Sequence, residues 1–155
     1  MADLTNHGLP NGQRLLKTWG MRTIGLIGGM SWHSTMTYYR LLNEAVARER
    51  GGHSSARIVL QSLDFSEIRE CQVNGDWDGA GRLLSAAARS CQDGGADVVA
   101  ICTNLMHKVA PAVEASLTVP LLHIADAVAI EADCGVRRSV GAIVKTCGSA
   151  CHAAC

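Results

Sequence analysis

Four short apolar runs recur along this chain, each bounded by glycine or polar residues and separated by stretches long enough for a helix. They are Arg22 to Ile27, Arg57 to Ser62, Val98 to Ile101 and Val119 to Ile124. Strands separated by helix-length connections return to the same sheet edge by right-handed crossovers and pair in parallel. The spacing therefore predicts an α/β fold: a parallel sheet of four or five strands with helices on both faces, Val140 to Val144 being the candidate fifth strand.

The connections carry helical periodicity. From Ser34, residues Tyr38, Leu41, Leu42, Ala45 and Val46 fall at offsets of three and four, with Ser31 or Ser34 as candidate caps and Gly51 and Gly52 as the stop. Ser66 to Cys71 reads as one or two helical turns, followed by a loop holding Gln72, Asn74 and Gly75. Residues 77 to 92 form a second long helix with Leu83, Leu84, Ala87, Ala88 and Cys91 inward. A later helix starts near Lys108 to Ala110, which puts Pro111 in its first turn, where proline's missing N–H costs nothing.

Ligands of open parallel sheets bind beyond the C-terminal strand ends. Met30, Gln61, Cys102 and Asp126 would all lie near that edge. Cys102 is the outstanding candidate, because an apolar strand runs straight into Cys102, Thr103 and Asn104 before a helical segment begins. Amide groups at such a turn stabilise a thiolate or a bound carboxylate, and packing requires neither the Thr103 hydroxyl nor the Asn104 amide. A buried cysteine can equally be a small hydrophobe, so Cys102 is the residue to test. His107, five residues on, admits two readings, a tuner of the thiolate or a structural histidine. The glycine turn after the first strand is G-x-x-G-G with no Gly-Lys-Ser/Thr following, which matches neither a dinucleotide fingerprint nor a phosphate-binding loop.

With 155 residues and 48% apolar content, the chain can bury one core. Lysine plus arginine equals aspartate plus glutamate at 14 each, so no net charge draws it to nucleic acid or to anionic membrane; a small neutral or zwitterionic partner fits better. No apolar run approaches the roughly 20 residues of a membrane helix, and no signal peptide is recognisable. Seven cysteines without a secretory signal predict reduced thiols and a cytoplasmic location. Residues 1–20 read as a flexible leader, 21–144 as the α/β domain and 145–155 as a divergent Cys-rich tail. In that tail, Cys147, Cys151, His152 and Cys155 form C-x-x-x-C-H-x-x-C, which is neither a structural zinc pattern nor a c-type haem site, and no metal is expected.

Several co-linear motifs carry a resemblance. RTIGLIGGMSWHST, YYRLLNE, SLDFSEI, EC followed by Gln72, ICTNLMHKVA and LLHIAD resemble the aspartate/glutamate racemase family from about Met21 to Asp133. The resemblance implies two similar α/β domains facing across a cleft, no pyridoxal phosphate, no other cofactor and no metal. It further implies one acid/base cysteine from each domain, because inversion at carbon needs proton carriers on opposite faces. Carried over by position, Cys102 resembles the first-domain acid/base, Thr103 and Asn104 the substrate-carboxylate contacts, and Met30 and Gln72 the pocket lining. Ser31, Ser62 and Asp126 are secondary candidates. The implied substrate is an amino acid, aspartate or glutamate.

Relatives continue into a second domain with the second cysteine, whereas this chain stops at Cys155 and its match weakens from Asp133. The expectation is a truncated racemase of reduced or no activity. Its alternatives are a non-catalytic carboxylate-binding module, acting as a homodimer or paired with a full-length relative, and an unstable fragment.

Overall fold

The computed structural model describes residues 22–124, so the leader, the tail, Asp126 and the candidate strand at Val140 to Val144 lie outside the described residues. Strands β1 (Ile24–Gly28), β2 (Ile58–Ser62), β3 (Val98–Ile101) and β4 (Leu121–Leu122) form one sheet in the order β2-β1-β3-β4. Every pairing is parallel, with Ile27 opposite both Gln61 and Ile101. Between the strands run α1 (Trp32–Arg50), α2 (Phe65–Asn74), α3 (Trp77–Asp93), a 3-10 turn (Leu105–Val109) and α4 (Ala110–Glu114).

Helices cover both faces, as two glycines of β1 show. A Cβ on Gly25 would meet Cys91 of α3, whereas one on Gly28 would strike Thr35 of α1. The α3 face holds the main core, built from Ile27, Leu84, Ala88, Cys91, Val99, Ile101, Met106 and Val113 among others. On the α1 face Leu26 and Val98 are fully buried, but Leu60 is exposed. The expected apolar stripe of α1, Tyr38, Leu41, Leu42, Ala45 and Val46, is only half-buried. Cys91 sits under the middle of the sheet, its Sγ 3.7 Å from the Leu26 carbonyl, and burial pushes its thiol pKa up.

Several boundaries differ from the sequence expectation. Helix α1 begins at Trp32, with Ser31 in the cap position at φ 85 and making no side-chain cap. Helix α2 runs to Asn74, so Gln72 lies in its last turn and not in a loop; Gly75, left-handed at φ 68, provides the stop. Asp64 caps the start of α2 by accepting the Ser66 N–H at 2.9 Å, and that bond holds its carboxyl below the usual range. Pro111 does occupy the first turn of α4. Strand β4 keeps only two of the six expected residues, because its neighbours' donors are engaged elsewhere. Gln92 Oε1 takes the N–H groups of Thr118 at 2.8 Å and Val119 at 3.3 Å, and proline at 120 has no N–H to give.

Candidate functional site

The strand order creates a switch point between β1 and β3. After β1 the chain turns outward to β2, and after β3 it turns the other way to β4; in open parallel sheets such divergent exit loops bound a ligand crevice. One wall is Gly29, Met30 and Ser31; the other is Cys102, Thr103 and Asn104.

The first wall is fixed by backbone constraints. Gly29 has φ +88, and a Cβ there would run into the backbone of Leu63, so only glycine lets the β1 and β2 exits approach this closely. Thr35, one turn into α1, accepts the Gly29 N–H at 2.9 Å and donates to the Ser31 carbonyl at 3.3 Å. Ser31 itself stands in the left-handed region at φ 85, a conformation that costs energy in a residue with a side chain. Sequence reasoning missed Thr35. Its signal was a hydroxyl residue four positions after Ser31, behind a Gly-Gly turn.

The second wall prolongs the ladder. The Cys102 N–H donates to the Ile27 carbonyl at 2.9 Å, so the cysteine backbone continues β3 alongside β1. Cys102 is 2% and Thr103 5% exposed, while Asn104 faces solvent. The 3-10 turn follows at once and buries Met106 and Val109. Gln72 reaches across from α2 and donates from Nε2 to Met106 Sδ at 3.2 Å. Met30 is 3% exposed and belongs to the same core cluster as Met106 and Ile101.

The five residues singled out from sequence therefore occupy one region of the C-terminal sheet edge: Met30 on the first wall, Cys102, Thr103 and Asn104 on the second, and Gln72 packed on the turn behind it. Ser62 ends β2 opposite Gly28, next to the central pair. Two surface grooves lie elsewhere: one of about 820 Å³ between α3 and α4, lined by Trp77, Arg82, Arg89 and Lys108, and an apolar one of about 650 Å³ beside Trp32, Met36, Tyr39 and Leu60. Trp77 is occupied by Lys108, whose Nζ stands 3.7 Å from the ring centroid, in keeping with a packing role. Among the described residues no cluster of three metal-ligating side chains occurs, and no helix is long and apolar enough to cross a membrane.

Fold and site together define a doubly wound α/β domain with a thiol at the crevice of its switch point. A family model described as Asp/Glu/hydantoin racemase matches residues 27–146. Solved structures similar to this chain include the following two. A Yersinia pestis protein classed with the Asp/Glu racemases is 54% identical at a TM-score of 0.70, over 72% of this chain and 48% of its own. An aspartate racemase homologue from Pyrococcus horikoshii is 32% identical at a TM-score of 0.63, with the same coverage of 72% and 48%. The chain belongs to the Asp/Glu/hydantoin racemase family. It spans about half the length of these two solved relatives.

Proposed function

We propose that this chain carries the first-domain half of a cofactor-independent amino-acid racemase site, with Cys102 as the acid/base for one face of the substrate α-carbon. In the productive state the Cys102 thiolate removes the α-proton, and as a thiol it returns a proton to the same face in the reverse direction. Thr103 and Asn104 hold the substrate carboxylate. Met30 and Gln72 line the pocket, and the substrate is aspartate or glutamate. The observation that carries this reading is the position of Cys102 at the switch point, one residue beyond β3 and hydrogen-bonded to the end of β1.

Inversion requires a second proton carrier on the opposite face. Cys91 is unsuited to that task, since it lies beneath the sheet against the Leu26 carbonyl. The second carrier comes from a second domain or from another subunit. Where neither is present, the crevice acts as a carboxylate-binding module with little or no racemisation.

The test is incubation with L- or D-aspartate in deuterium oxide, following the α-proton by NMR, with Cys102→Ser as control. Inversion with exchange, lost in Cys102→Ser, is the result of a complete site. Exchange without inversion is the result of a half-site. A folded protein that exchanges neither enantiomer would sink the catalytic role of Cys102 and leave the binding module.

A further inference from the structure

The loop after β3 is tied to the segment just past β4 by one imidazole. His107 Nδ1 lies 2.9 Å from the Thr103 carbonyl oxygen, and the Ile124 N–H points at His107 Nε2 at 3.4 Å. These two partners fix the tautomer. A carbonyl can only accept, so Nδ1 carries the proton; an amide N–H can only donate, so Nε2 is bare. Protonation would place a hydrogen on Nε2 facing the Ile124 hydrogen, breaking the tie to Ile124 while leaving the bond to Thr103.

We propose that His107 is a positioning residue for the Cys102 loop: the neutral imidazole, protonated at Nδ1, braces the Thr103 carbonyl against the Ile124 backbone just past β4 and thereby sets the attitude of Cys102, Thr103 and Asn104 at the crevice. This rests on the reading that Cys102 and its neighbours handle the substrate.

The surroundings keep the ring neutral. Burial is the main cause that pushes the His107 pKa below its ordinary value, opposed by its bonds to the Thr103 and Asn104 backbone and aided by His123. The His123 ring lies 5.7 Å away, centroid to centroid, and its own Nε2 is engaged by Glu114 Oε1 of α4 at 2.6 Å. Glu114 therefore faces His123 and not His107. On the 3-10 turn itself Lys108 points at Trp77, and the charged groups of α3 that accompany it, Asp78, Arg82 and Arg89, line the groove between α3 and α4. From α2 the residue meeting this turn is the uncharged Gln72.

The experiment is NMR on the full chain, labelled with ¹⁵N. Long-range correlations of the imidazole nitrogens should show Nδ1 protonated and Nε2 bare at neutral pH. As pH falls, the amide signals of Thr103, Asn104 and Ile124 should move together with the His107 midpoint, below that of an ordinary histidine, and the protection of the Ile124 amide, its exchange corrected for the intrinsic dependence on pH, should fall severalfold. His107→Asn keeps a donor near Nδ1 but no acceptor at Nε2, so its loop amides should lose that pH response. His123→Asn should keep it. An Nε2-protonated ring, or loop amides that stay still while His107 titrates, would overturn the proposal. In the aspartate exchange assay, the pH profile of an active protein should fall through the same midpoint, and a profile unchanged by His107→Asn would also overturn it. Absence of exchange would count against the racemase reading, with the tautomer and amide measurements still deciding the role of His107.

Discussion

At the scale of single residues, the crevice is held by contacts that tolerate little substitution. Gly29→Ala adds a Cβ against the Leu63 backbone at a φ of +88 and should cost more than about 2 kcal/mol, read as a shift of the urea midpoint. Thr35→Val keeps the shape but removes the acceptor for the buried Gly29 N–H, an expected loss of about 1–3 kcal/mol that Thr35→Ser should largely restore. His107 gives stability a defined pH dependence. Its folded pKa is depressed, so the folded state binds the proton less readily than the unfolded chain. Its contribution is complete above the unfolded value of about 6.5 and is lost as pH falls through the lower, folded value. Denaturant titrations at descending pH should show this loss, and His107→Asn should flatten it. In sequence His107 was ambiguous, because nothing local says that Ile124, 17 positions away, will supply a donor to its ring.

Among the elements, legibility followed how local the deciding interactions are. Strands β1 and β3 and helix α3 were readable because apolar runs, helical periodicity and stopping glycines lie within their own segments. The position of Cys102 at the end of β3 was readable for the same reason, since it is the first residue after such a run. Strand β4 was readable as a strand but not in its bounds, because the side chain of Gln92, far back in α3, takes the Val119 N–H at the start of the expected run. Gln92→Ala should lower stability by about 1–2 kcal/mol through release of the Thr118 and Val119 amides, and it should speed their hydrogen exchange more than that of β1. Gln72 was read as part of a loop and stands in the last turn of α2. The sequence reading put Gly75 in that loop, whereas it provides the helix stop, and the contact of Gln72 with Met106, 34 positions away, has no local signal.

Across the whole molecule, the sheet's two faces differ in how much they bury. Leu84, fully buried on the α3 face, should cost about 2–5 kcal/mol as Leu84→Ala, whereas Met36→Lys on the exposed side of α1 should stay within about 0.5 kcal/mol. Equal costs would contradict this asymmetry. The central thiol of α3 offers a use of its own. With its sulfur against the Leu26 carbonyl and its pKa raised by burial, Cys91 is shielded from an alkylating reagent until the helix lifts off the sheet. The rate at which the reagent modifies it is thus a clock for the opening of the native fold, built into the chain and readable by mass on the peptide that carries Cys91.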